Sequence, residues 1–227
     1  ILHCMGQKGV LKRNRPLAVV GARNASAHAR QWTKRACREV SAKGVTVISG
    51  FAAGIDRAAH EGSMETGTIA VLGGGLGKPY PKDNIPLMEP VAETGILLSE
   101  CPWDEAPTAQ HFPRRNRIVS GLSKAVLVVE AASRSGSLIT ARLAAEQGRD
   151  VLAVPGFPDD PRATGPNRLI RDGAILITEV QDILDALEEP TLPRQPALFE
   201  GPQAPLEVDT YEESANENGA VPLMDFL

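Results

Sequence analysis

Seven short apolar runs, spaced along the chain with a helical pattern between each pair, restrict this sequence more than any other feature. The runs are Leu17–Val20, Val45–Ile48, Ile69–Leu72, Ile96–Leu98, Ala125–Val129, Val151–Val154 and Ile175–Ile177. They are rich in Val, Ile and Leu and show no strict polar alternation, the pattern of strands buried on both faces. Between them, and after the last, the spacing predicts helices over Ala27–Ala42, Ile55–Glu65, Ile85–Glu93, Arg114–Gly121, Leu138–Gln147, Asn167–Arg171 and Glu179–Leu187. Ser26 and Ser137 are placed to cap helix starts, and Pro113 and Pro166 suit first turns. Repeated β-α units of this size imply an α/β fold with a doubly wound, mostly parallel sheet and helices on both faces.

The 227 residues divide unevenly by charge. From Asp185 onward there are ten acidic residues and one basic, Arg194, a net of −9, which leaves +5 on residues 1–184. A positive core is compatible with a nucleic-acid partner. Residues 16–188 are read as the folded domain. Residues 1–15, with Lys8, Lys12, Arg13 and Arg15, are read as an incoming strand and loop, and residues 189–227 as an acidic, Pro-rich linker or tail. A start at Ile1 rather than Met suggests that a preceding part is missing.

Cys4, Cys37 and Cys101 are odd in number, far apart and without a Cys-x-x-Cys pair, which favours a reducing compartment and disfavours zinc. No run approaches the roughly 20 apolar residues of a membrane span, and no signal-peptide pattern opens the chain, so a cytoplasmic location is expected.

In an open parallel sheet, ligands sit outside the carboxyl ends of the strands. The segments there are Val20-Gly-Ala-Arg23, Ser49-Gly-Phe-Ala-Ala-Gly-Ile-Asp56, Gly73-Gly-Gly-Leu-Gly-Lys78-Pro-Tyr80, Glu130-Ala-Ala-Ser-Arg-Ser-Gly-Ser137 and Pro155-Gly156. The fourth strand leads into His111-Phe-Pro-Arg-Arg-Asn-Arg117, where Arg114, Arg115 and Arg117 crowd together. Guanidinium forks suit phosphate oxygens, though Asp104 and Glu105 are an equally simple structural partner. Phe112 and Tyr80 can stack on bases or pack in the core.

Neither a dinucleotide fingerprint nor a Gly-Lys-Ser/Thr phosphate loop is present, so NAD binding and ATP hydrolysis are disfavoured and no cofactor or metal is expected. Asp56 and His60 share a helix face as an acid–base or metal pair, or else Asp56 caps the helix and His60 packs beside it. Ser135 and Ser137 have no neighbouring histidine.

Taken together, Val20-Gly-Ala-Arg23, Ser49 to Asp56, Gly67 to Gly73 with Tyr80-Pro81, Phe112 to Ile118 with Ser120 to Ser123, Ser135 to Ala141, and Ala153 to Gly156 with Gly165 to Asn167 resemble the DNA-processing protein A (DprA/Smf) family. The resemblance runs over residues 15–185. It implies an extended Rossmann-like domain that binds single-stranded DNA without cleaving it, protects incoming strands in natural transformation, helps load the RecA recombinase and acts as a homodimer. Carried over by position, it implies DNA contacts at Arg23, Arg114, Arg115 and Arg117, donors to phosphate at Ser49, Gly50, Ser135, Gly136 and Ser137, and a further contact at Lys78. An apolar patch near Ile175 to Leu187 is expected to bury the partner subunit. The rival on the same sheet is a nucleotide phosphoribohydrolase or a small-nucleotide binder. The Thr and Glu of the hydrolase pattern have no match after Gly73-Gly-Gly-Leu-Gly.

Overall fold

The computed structural model describes residues 1–188. Eight strands form one sheet in the order β1-β5-β4-β3-β2-β6-β7-β8. They are β1 His3–Gly6, β2 Pro16–Val20, β3 Thr46–Ser49, β4 Ile69–Val71, β5 Ile96–Ser99, β6 Ala125–Val128, β7 Asp150–Ala153 and β8 Ile175–Leu176. All pairs are parallel except β1 with β5, where His3 faces Ser99 and Gly6 faces Ile96. The helices are α1 Ala27–Ala42, α2 Ile55–Ser63, α3 Met88–Thr94, α4 His111–Gly121, α5 Gly136–Glu146, α6 Thr164–Arg171 and α7 Val180–Glu188. The doubly wound, mostly parallel sheet expected from the apolar runs is therefore present, and with it the extended Rossmann-like fold that the family resemblance implies.

Alternation along each strand sorts the core into two layers. Leu17 and Val19 point with Val47, Leu127 and Leu152 toward α1, α2 and α7, where Ile55, Ala59, Ile183, Leu184 and Leu187 meet them. Ala18 and Val20 point the other way with Ile48, Val71, Val126 and Val128, toward Ile118, Val119, Ala141, Ala144 and Leu169 on α4, α5 and α6. Each large aliphatic side chain so buried stabilises the fold by about 1.5–3 kcal/mol. The apolar residues near the carboxyl end belong to this core. Ile177, Ile183, Leu184 and Leu187 are buried within the subunit and Leu176 alone among them is exposed, so most of the patch expected to meet a partner faces inward.

Two boundaries differ from the sequence expectation and a third agrees with it. Pro86 interrupts the helix expected from Ile85, leaving a 3-10 turn, Lys82–Leu87, before α3, because proline supplies no amide for an α-helical bond. Ser135, not Ser137, caps α5, and its Oγ accepts from the Ser137 amide at 3.4 Å. Ser26 caps α1 as expected, accepting from Ala29 N–H at 3.0 Å. The proposed tail, residues 189–227, lies outside the described residues.

Candidate nucleic-acid interface

The chain winds outward from β2 through β3, β4 and β5, then returns to β6 beside β2 and winds the other way. The switch point between β2 and β6 is the usual ligand crevice of such a sheet. Here it is bridged: the Glu130 carboxylate accepts from Ser26 N–H at 2.9 Å and from Ser26 Oγ at 2.7 Å. That contact ties the start of α1 to the end of β6 and occupies Glu130 and Ser26.

On the β3–β4 side the loops converge on one aromatic ring. Phe112, in the first turn of α4, packs over Gly73, where a Cβ would come within 2.8 Å of the ring. The Arg23 guanidinium carbon, from the loop after β2, lies 5.2 Å from the Phe112 centroid. Tyr80, from the loop after β4, approaches at 5.7 Å with its plane tilted by 53°. Three segments remote in sequence thus build a cationic–aromatic platform in which Arg23 remains exposed and Phe112 and Tyr80 are half-buried.

The arginines of α4 divide by helical position. Arg114 and Arg117, one turn apart, stay exposed and face Glu100, with Arg117 Nη2 bonded to its carboxylate and Arg114 Nε 4.0 Å from it. Arg115 turns inward and is 7% exposed. Its guanidinium donates to the carbonyls of Gly50 and Val71, and the expected direct phosphate contact does not suit a group so enclosed. Asp56 closes the arrangement by accepting from Gly50 N–H at 3.1 Å and Ala52 N–H at 3.3 Å. Burial raises the Asp56 carboxyl above its ordinary range, with Arg115 opposing the shift. Burial likewise pulls Arg115 down to about 10, which keeps it cationic at neutral pH.

The remaining expected donors are placed unequally. Ser49 is fully buried and its Oγ donates to Val19 O at 2.6 Å, and the Gly50 amide is committed to Asp56, so neither is free to hold an outside phosphate. Ser135 and Ser137 share a hydroxyl bond of 2.8 Å, and Gly136 is exposed at the start of α5 with open space around it. Lys78 is exposed in a loop stitched to its neighbour by Gly75 N–H to Glu105 O and Gly77 N–H to Trp103 O, both 2.8 Å. Arg134, a position that no sequence motif singles out, is exposed between Ser133 and Ser135 without an ion-pair partner among the described residues. Gly156 is clasped by the Asn167 amide through both its N–H, at 3.1 Å, and its C=O, at 2.9 Å.

His60 is not paired with Asp56. It is fully buried, with Nδ1 3.0 Å from Thr68 Oγ1 and its ring against Phe51. Burial, helped by the charge of Arg115, lowers its pKa to about 3. The packed alternative holds for His60, while Asp56 acts as a loop anchor. Outside that site the fold gathers Cys101, Glu105 and His111, with one ligand-type atom from each within 4.8 Å of the other two, a mixed set that a search for paired cysteines does not look for.

A family model described as DNA recombination-mediator protein A matches residues 1–188, the whole of the described fold. The chain belongs to that family. Among relatives of this recombination-mediator family, Protein Smf of Escherichia coli is 50% identical over 175 residues, covering 76% of this chain and 47% of its own length. The X-ray structure of DNA processing protein A from Streptococcus pneumoniae superposes with a TM-score of 0.79 at 40% identity, covering 83% of this chain and 66% of that one. The Helicobacter pylori DNA processing protein A, whose structure concerns a single-stranded DNA binding mode, gives a TM-score of 0.77 at 30% identity over 82% of this chain and 86% of that one. The chain spans about half the length of the E. coli relative. No helix among the described residues is long and apolar enough to cross a membrane.

Proposed function

We propose that this chain binds single-stranded DNA along the carboxyl edge of its sheet and acts as a recombination mediator without catalysing a reaction on the strand. The observation that carries the reading is the Arg23–Phe112–Tyr80 platform, with the exposed Arg114 and Arg117 on the same helix as Phe112, Lys78 in the loop that carries Tyr80, and Arg134 exposed in the loop after β6. A base can stack on the Arg23 guanidinium plane or displace it from the half-exposed ring, and the surrounding guanidinium and ammonium groups track the phosphates. The H. pylori relative, which binds single-stranded DNA, supports the same ligand here. Arg115 contributes from below by holding the Gly50 carbonyl and balancing Asp56.

The non-catalytic part rests on how the candidate acids and bases are used. Asp56 anchors two amides, His60 is sealed in the core, and the Ser135 and Ser137 hydroxyls bond to each other. Protection of incoming strands, loading of RecA recombinase and action as a homodimer in the cytoplasm complete the proposal, supported by membership of a recombination-mediator family.

Fluorescence anisotropy with a labelled oligonucleotide tests the site, using duplex and AMP as competitors. Salt-sensitive binding that AMP competes for weakly and that Phe112→Ala reduces supports the reading. Efficient competition by AMP assigns the cleft to a small nucleotide instead.

A further inference from the structure

Beside the platform, the loop after β5 carries three metal-ligating side chains of different kinds to the first residue of α4. Cys101 Sγ lies 3.8 Å from His111 Nδ1, and Glu105 Oε1 lies 3.3 Å from His111 Nε2. One ligand atom from each of the three falls within 4.8 Å of the other two. The histidine is oriented from both sides. Thr108 N–H donates to Nδ1 at 3.3 Å, which leaves the lone pair on Nδ1 and the proton on Nε2, against Glu105. The Nδ1 lone pair therefore lies on the side of the Cys101 thiol, where an ion would replace the Thr108 amide as its partner. All three residues are half-buried and line a cleft of about 160 Å³, whose wall includes Glu100 and Arg114.

We propose that Cys101, Glu105 and His111 bind a single zinc-class divalent ion, with a fourth position open to water in the cleft. The donor set selects the metal. A thiolate and an imidazole suit zinc, whereas calcium and magnesium take oxygen ligands. Zinc bonds of about 2.0–2.3 Å place tetrahedral ligand atoms roughly 3.5 Å apart. The sulfur–nitrogen separation of 3.8 Å is close to that value. The widest separation in the group, up to 4.8 Å, must close by about 1 Å, a movement that rotation about the Glu105 side-chain bonds supplies without displacing the backbone. Binding releases the Cys101 thiol proton, which now points to Gly73 O at 3.2 Å, to solvent, and the sulfur lone pair forms the new bond. The ion would clip the loop after β5 to the residue next to Phe112, bracing the platform from the side.

The test uses the whole 227-residue chain, stripped with a chelator and titrated with Zn2+ against a chromophoric competitor, then with Co2+ as a spectroscopic stand-in. One ion per chain and a thiolate-to-cobalt charge-transfer band are expected. Cys101→Ser and His111→Gln should each weaken binding by about 100-fold and Glu105→Gln by roughly tenfold. His3 and the exposed Cys4 are adjacent and offer a competing surface site, so Cys4→Ser must leave affinity unchanged. Circular dichroism of each variant shows that it is folded. Absence of saturable binding, a cobalt spectrum without the thiolate band, or loss of binding in Cys4→Ser with retention in Cys101→Ser overturns the assignment. None of these readouts involves DNA, so the metal site and the strand-binding reading stand or fall separately.

Discussion

Asp56 and Arg115 meet on opposite sides of Gly50: the carboxylate accepts the Gly50 N–H at 3.1 Å while the guanidinium donates to the Gly50 carbonyl. A side chain on Gly50 would stand 2.6 Å from Arg115 Nη2 and 2.7 Å from Asp56 Oδ2, so only glycine lets both groups reach the backbone. Arg115→Met keeps the volume but leaves Asp56 buried without its counter-charge and two carbonyls without a donor. A loss on the order of 3–5 kcal/mol is expected, read from urea unfolding. Adding Asp56→Asn, which removes the uncompensated charge, should restore part of that loss. A strictly additive double-mutant cycle would show that the two groups do not interact.

Glu100 holds Arg114 and Arg117 against the protein surface, with Arg117 directly bonded and Arg114 4.0 Å away. Because these pairs are largely solvent-exposed, their contribution to stability is small, at most about 1 kcal/mol. Their effect on a polyanion is larger, since one carboxylate partly neutralises two candidate phosphate-binding groups. Glu100→Gln is expected to tighten binding of a single strand several-fold at low salt without altering the unfolding midpoint. Arg114→Ala/Arg117→Ala should do the opposite and reduce the slope of log K against log salt by about 0.7 for each phosphate that the protein no longer neutralises. An unchanged slope in that variant would place the strand elsewhere.

The arrangement of the sheet was legible because β2, β3, β4, β6 and β7 are buried on both faces and therefore write nearly continuous apolar runs. The site was legible only to the level of segments. Arg114, Arg115 and Arg117 look alike in sequence, but α4 turns about 100° per residue, so one guanidinium enters the core while the flanking two face Glu100. Ser49 and Gly50 occupy a loop at the ligand edge, yet their polar groups satisfy buried partners, a demand that appears only once Val19 and Asp56 are in place. Likewise, no local spacing reveals that Tyr80 and Arg23 share Phe112, because their meeting depends on which strand ends are neighbours.

His60 gives the fold a defined acid sensitivity. Its pKa falls from 6.5 to about 3 on folding, principally through burial. The unfolded chain therefore takes up a proton that the folded chain refuses as the pH drops below 6.5, and stability is lost across the window down to about 3. The expected slope is about 1.4 kcal/mol per pH unit inside that window. His60→Gln removes this contribution, so the difference in unfolding free energy between pH 7 and pH 4.5 should shrink by roughly one proton's worth. An identical pH profile in the variant would mean that His60 titrates alike in the folded and unfolded chain.

Phe112 separates stacking from charge. Its ring is held by Gly73 beneath, Tyr80 beside and Arg23 5.2 Å from its centroid, so replacement by another aromatic keeps a π-face in the same place. Phe112→Ala is expected to weaken single-strand binding by about 1–3 kcal/mol for the base that it stacks, with the salt slope unchanged because no cation is removed. Phe112→Tyr should retain most of the affinity. Arg23→Ala should show both effects, a reduced salt slope from the missing charge and weaker stacking from the absence of the cation over the ring. If Phe112→Ala lowered the salt slope as much as Arg23→Ala, the ring would be acting only as a support for the guanidinium, and the platform would be a phosphate site rather than a base-stacking one.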